Sequence, residues 1–199
     1  MTQHYYSRKP EVGSDEQTWT YELRGHALSF TSDRGVFSKK EVDFGSRLLI
    51  EHFQLPAEDG PILDVGCGYG PIGIALAKEF QLRNIFMVDI NERAIELAKK
   101  NAENNKVNNV AIEQSDLFTN VKQRDFASIL TNPPIRAGKK VVHQLFEDAY
   151  HYMLDGGELW VVIQKKQGAP SAIEKLESMF TIVEVVTKKK GYYIVKAIK

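Results

Sequence analysis

At 199 residues, with 43% hydrophobic and 26% charged side chains, the chain suits one well-buried domain and is short for two. No apolar run approaches the length of a membrane span, the first residues lack a signal-peptide core, and a lone cysteine, Cys67, excludes an internal disulfide or a multi-thiolate metal site. A cytoplasmic location is therefore expected, and five histidines without metal-ligand spacing give no reason to expect a metal.

Net charge is zero but unevenly spread. Residues 1–60 carry 7 basic and 10 acidic side chains (−3), residues 61–119 carry 6 and 8 (−2), and residues 120–199 carry 13 and 8 (+5). A polyanionic partner would meet the C-terminal part first.

In chain order, residues 19–23 and 27–31, around Arg24-Gly25-His26, read as a small hairpin. Val42, Ser46, Leu49 and Phe53 give one amphipathic helix before Pro56. Residues 1–60 are read as an N-terminal cap on a main domain of residues 61–199. From there, short apolar runs alternate with amphipathic segments. Ile62-Leu63-Asp64-Val65 is a buried-strand pattern ending in glycines, and Pro71 opens a helix with Ile72, Ala75, Leu76 and Phe80 on one face. A second strand ends at Asp89, and Asn91 can cap a helix with Ala94, Ile95, Ala98 and Ala102 inward and Glu96 paired with Lys100 outside. A third strand, at 110–113, precedes Asp116, and a fourth, at 127–130, runs into Asn132-Pro133-Pro134-Ile135. Val142, Leu145, Phe146, Ala149 and Met153 mark a helix that Gly156-Gly157 is expected to end. A buried fifth strand at 159–163, a helix from Pro170, and two strands at 181–187 and 192–197 complete the chain. The join at 188–191 is too short for a crossover helix, so the last two strands must be antiparallel. The predicted fold class is α/β: a doubly wound seven-stranded sheet, mostly parallel with one antiparallel strand, plus the small cap.

Two motifs carry chemistry. The spacing Gly66-x-Gly68-x-Gly70 after a buried strand lets a ligand approach the backbone, and it differs from the G-x-G-x-x-G of dinucleotide binders. Asp64 before the glycines suits a ligand carrying an amine; Asp89, ending the next strand, can accept from ribose hydroxyls; Asp116 could meet an adenine amine. Cys67 reads as a small loop residue, because no histidine lies near it in sequence. The second motif is Asn132-Pro133-Pro134. A delocalised amine is a poor nucleophile, and an Asn side-chain oxygen with nearby carbonyls not engaged by N–H groups could hold an NH₂ and stabilise the charge that develops on it.

With these motifs the chain resembles class I S-adenosylmethionine (SAM)-dependent methyltransferases of the "small domain" family, which includes 16S rRNA guanine-N2 methyltransferases. The resemblance runs over nearly the whole chain: Val36-Phe37-Ser38, Asp43-Phe44-Gly45-Ser46, residues 64–70, Asp89-Ile90-Asn91, Ser115-Asp116-Leu117-Phe118, residues 132–135, and Gln164-Lys165-Lys166-Gln167-Gly168-Ala169. It implies a Rossmann-like fold and SAM as cofactor, with Asp64, Gly66, Cys67, Gly68, Gly70, Asp89, Ile90, Asp116, Leu117 and Asn132 around it. Asn132, Pro133, Pro134 and Ile135 would form the catalytic corner, and Phe37, Arg136, Lys139, Lys165 and Lys166 would meet the substrate. Many relatives carry an aromatic residue where this chain has Ile135, so the target base is less firmly implied. Lysines after three strand ends should line the active-site edge of the sheet, which favours an RNA substrate.

The expected reaction is methylation of an exocyclic amine, foremost guanine N2 in small-subunit ribosomal RNA, with ribosomal RNA or the small subunit as partner. Adenine N6 and a protein glutamine amide present the same NH₂ chemistry. A nicotinamide-dependent oxidoreductase is the rival of another class, weakened by the glycine spacing. A binding module that keeps SAM but no longer turns over is the third reading.

Overall fold

The computed structural model describes residues 13–36, 38 and 41–199, apart from the side chain of Arg136. Strands β1 (Gln17–Leu23) and β2 (His26–Ser32) pair antiparallel through the Arg24-Gly25 turn. Both turn residues have positive φ, 51° and 76°, the pair that matches the twist of a two-residue hairpin. Helix α1 (Phe44–His52) follows, capped by Asp43, whose side chain accepts from the Ser46 amide at 3.0 Å.

The main sheet has seven strands: β3 (Ile62–Val65), β4 (Ile85–Asp89), β5 (Val110–Gln114), β6 (Phe126–Thr131), β7 (Met153–Gln164), β8 (Ile182–Lys189) and β9 (Tyr192–Ile198). Their order is β5-β4-β3-β6-β7-β9-β8, with β9 antiparallel to both its neighbours and the first five strands parallel. Because β3 is bonded to β4 on one side and β6 on the other, the strand order reverses there, opening a crevice at the C-terminal strand ends.

Helices α2 (Pro71–Glu79), α3 (Glu92–Asn104), α4 (Lys139–Tyr152) and α5 (Ala169–Glu177) cover the two faces. The pleat sorts the strand residues between two cores. Ile62, Trp160 and Val162 join α1, α2, α3 and the hairpin on one face. Leu63, Val65, Leu159, Val161 and Ile163 join α4 and α5 on the other. The hairpin is tied down by two asparagines of α3: Asn101 exchanges hydrogen bonds with the Thr31 backbone (2.7 and 2.8 Å), and Asn105 does the same with Ser29 (2.9 and 2.7 Å).

Three expectations need correction. Helix α4 ends at Tyr152, four residues before Gly156, and Met153 already pairs with Phe126 in the sheet. The glycines serve a bulge instead: pairing jumps from Phe126↔Met153 to Ser128↔Glu158, and a Cβ on Gly157 would lie 2.9 Å from the Leu154 carbonyl oxygen. Lys100 pairs with Glu16 at 2.5 Å, bridging α3 to the hairpin, rather than with Glu96 on its own helix. The final turn is only Lys190-Gly191, because Lys188 and Lys189 are still in β8. Among the described residues no helix is long and apolar enough to cross a membrane.

Candidate active site

A cavity of about 420 Å³ lies at the crevice. Its walls come from the loop after β3 (Gly66, Cys67, Gly68), the end of β4 (Asp89, Ile90), the loop after β5 (Ser115, Asp116, Leu117) and the segment after β6 (Asn132, Pro133, Pro134).

The loop after β3 is held by its own backbone. The amides of Gly66 and Cys67 donate to the Val88 carbonyl at 2.8 and 3.0 Å, stitching the loop to β4. Gly66 and Gly68 have φ of 76° and 57°, and a Cβ on either would meet nothing within 4 Å, so their missing side chains leave the cavity face open. Gly70 answers a different need: a Cβ there would lie 2.7 Å from Ile74 Cδ1 and 2.9 Å from Met87 Cε, so the glycine lets α2 dock on the sheet.

Asp89 anchors the opposite wall. Its Oδ2 accepts from the Gly68 amide at 2.9 Å and its Oδ1 from the Asn91 amide at 2.8 Å. Burial raises its carboxyl above the ordinary value, and these amides draw it part of the way back. Asp64 does not reach the cavity wall. It sits fully buried behind the loop, accepts from the Gly73 amide at 2.9 Å through Oδ2, and has no partner for Oδ1 among the described residues. Burial pushes its carboxyl up to about 7; the Gly73 amide opposes this, and the neighbouring charge of Asp89 adds to it. The Cys67 thiol is also driven up, by burial and then by Asp89 and Asp64, so a lone buried thiol here is no nucleophile.

On the far side, Asn132 Nδ2 donates to Asp43 Oδ1 at 3.2 Å and to Ser46 Oγ at 3.1 Å. Helix α1 is thus joined to the end of β6. Pro133 and Pro134 line the cavity as expected, but the Pro133 carbonyl accepts from the Ile135 amide at 2.8 Å and is not the free acceptor anticipated. Ile135 itself is packed against the core beneath α4 rather than on the cavity wall, since the short turn it begins (Ile135–Ala137) rotates it inward.

Of the substrate residues named from sequence, Phe37 and the side chain of Arg136 lie outside the described residues. Lys139, Lys165 and Lys166 are exposed and off the cavity wall. The Lys165 amide donates to the Gly191 carbonyl at 2.8 Å, which brings Lys165 and Lys166 beside the β8–β9 turn with its Lys190 and beside the end of β8 with Lys188 and Lys189. Lys190 lies over the Phe44 ring at 4.9 Å, one residue from Asp43.

Sequence reasoning gave no place in the site to Asp43, Ser46, Val36, Tyr69, Val141 or Leu145, all of which line the cavity. Asp43 had a usable signal, an N-cap three residues before Ser46, but nothing local ties it to Asn132. Tyr69 is wedged between Trp19 and Phe30, each ring 5.8 Å away, and joins the glycine loop to the hairpin.

Residues 27–196 match the methyltransferase small domain family. The chain belongs to that family. It is a SAM-dependent methyltransferase with the α/β sheet described above. This methyltransferase is 65% identical to the uncharacterized protein YbxB of Bacillus subtilis over the whole of both chains. It is 28% identical to ribosomal RNA large subunit methyltransferase G of Psychromonas ingrahamii, covering 95% of this chain and 50% of that one. Among solved structures, a T. thermophilus 16S rRNA N2 methyltransferase, in complex with AdoMet and guanosine, superposes with a TM-score of 0.82 at 25% identity. The match covers 96% of this methyltransferase and 52% of that chain. The chain thus spans about half the length of these two rRNA methyltransferases.

Proposed function

We propose that the chain methylates an exocyclic amine of ribosomal RNA in the cytoplasm, foremost guanine N2 of the small subunit. The observation that carries this reading is that one cavity unites the open glycine loop and Asp89 with Asn132 and Pro133. When bound, SAM supplies an electrophilic methyl group. The open faces of Gly66 and Gly68 and the carboxylate of Asp89 fit such a group; these residues, with Cys67, Ile90, Asp116 and Leu117, would hold it. Asp64 and Gly70 would act from behind, by supporting the loop and the start of α2.

Asn132 would hold the target amine. Its side-chain oxygen accepts one N–H of the NH₂, leaving the nitrogen lone pair for the methyl and stabilising the positive charge that grows there. No strong general base is needed, because the proton leaves after the nitrogen has been alkylated. Placement supplies much of the remaining acceleration.

The lysines support RNA as the substrate. Lys139, Lys140, Lys165, Lys166, Lys188, Lys189 and Lys190 are all exposed, and all follow or flank strand ends on the active-site edge. We read residues 1–60 as a cap on the domain of residues 61–199. Its support is that Leu28, Phe30 and Leu49 share one core with Ile74 and Met87; residues 1–12 lie outside the described residues.

The test is to supply SAM labelled in its methyl group with small subunits, large subunits, naked ribosomal RNA and total cell protein. Label in small-subunit RNA, mapped to guanine N2, is the expected result. Label in protein instead would move the assignment to a glutamine amide.

A further inference from the structure

We propose that Asp43 is the positioning residue that makes Asn132 an acceptor toward the target amine. The inference rests on the amine-holding reading of Asn132 and adds what orients it.

A terminal amide has two nearly isosteric ends, one donating and one accepting, and catalysis of this kind needs the accepting end toward the substrate. A carboxylate resolves the choice, because it can only accept. Asp43 Oδ1 already receives the Ser46 amide at 3.0 Å and stands 3.2 Å from the Asn132 amide nitrogen. Turning the Asn132 amide over would set its oxygen against that carboxylate oxygen, two acceptors face to face. Ser46 Oγ, 3.1 Å from the same nitrogen, takes the second N–H. Both donors of the amide are therefore committed, and its oxygen is the end left for a ligand. All three residues line the cavity.

Asp43 itself is fixed. As the N-cap of α1 it is held by the helix it starts, and Ser46 lies in the first turn of that helix. Gly45 keeps the approach narrow: a Cβ there would come within 2.9 Å of the Tyr192 ring and 3.2 Å of Asp43 Oδ1. The cap thus reaches the chemistry through one carboxylate. A hydrogen bond from amide to carboxylate also polarises the amide, which strengthens its oxygen as an acceptor.

The variants separate capping from positioning. Asp43→Ser keeps a good N-cap but withdraws the acceptor from Asn132. We expect kcat for methyl transfer to the labelled RNA fraction to fall about 10- to 100-fold, with S-adenosylhomocysteine affinity by calorimetry within about twofold of wild type. Asp43→Asn retains an oxygen at the same place and should recover part of the loss. The decisive readout is a double-mutant cycle: in an Asn132→Ala background, Asp43→Ser should cost nothing further.

If Asn132→Ala retains full activity, the amine-holding reading fails and this inference with it. If Asn132→Ala is impaired but Asp43→Ser matches wild type, positioning alone is overturned. Losses that add in the double mutant, or a matching fall in S-adenosylhomocysteine affinity, would mean that Asp43 only supports the fold, and would overturn it too. Should Asp43→Ser not fold, the same cycle run with Asp43→Asn and Ser46→Ala decides, with a severalfold loss that vanishes beside Asn132→Ala as the supporting result.

Discussion

The glycine side of the cavity and the Asn132 corner are assembled on different scales. On the glycine side, Gly66, Cys67 and Gly68 follow directly on β3, and their amides bond to Val88 and Asp89 of the adjacent strand. On the other side, Asn132 is oriented by Asp43 and Ser46, which stand 89 and 86 residues earlier in the chain. The first is a backbone site, shaped by positive φ angles and by absent side chains. The second is a side-chain site, and it exists only where the start of helix α1 meets the end of β6. Cofactor handling and amine handling should therefore fail separately.

The sharpest way to break that contrast is Asn132→Ala. A side-chain acceptor used only as charge develops should cost about 100-fold or more in kcat when removed. Binding of S-adenosylhomocysteine, measured by calorimetry, should hold within about twofold. A collapse of that affinity would show that the two sides are one functional unit and would end the comparison.

The glycine side carries its own signature, an unpaid electrostatic cost at Asp64. The ordinary carboxyl value is 3.8 and the folded one is raised to about 7. Between these values the folded chain keeps a proton that the unfolded chain has lost, so stability falls as pH rises from about 4 to about 7 and levels off above. The slope for one proton is at most about 1.4 kcal/mol per pH unit. Asp64→Asn has no proton to lose and can still accept from the Gly73 amide. In denaturant titrations of cofactor-free protein, the variant should gain stability relative to wild type across that window. Parallel pH profiles for the two proteins would show that Asp64 is not the buried proton holder.

The same contrast explains what could be read before the structure. The ends of β3 and β4, the glycine loop and Asp89 were legible because each is a contiguous pattern with a local physical reason. The lysines at the active-site edge were legible from one rule about parallel sheets. Ile135 was misplaced because its direction depends on the turn that follows it, and the Pro133 carbonyl because the same turn engages it. Gly156 and Gly157 looked like a helix stop, yet the β6–β7 register slip is what uses them. The roles of Asp43 and Ser46 were hidden for a plainer reason. Nothing within a window of twenty residues relates an N-cap to an asparagine 89 residues away.

The smallest effect concerns the mouth of the Asn132 corner, where Lys190 lies over Phe44 and Lys165 is bonded through its backbone to Gly191. The exposed lysines flanking strands β6 to β9 stand on this side of the cavity, whereas Asp116 is exposed at the glycine side. A polyanion should thus be held by one wall only. Lys190→Ala should raise KM for the RNA a fewfold at most and leave kcat and S-adenosylhomocysteine affinity unchanged. It should also flatten the salt dependence of RNA binding by roughly 0.7 to 0.9 in log–log slope, the amount expected for one phosphate contact. A small affinity change alone could come from altered packing on Phe44, but packing does not move a salt slope. An unchanged slope would therefore place the phosphate backbone elsewhere, even if KM rose.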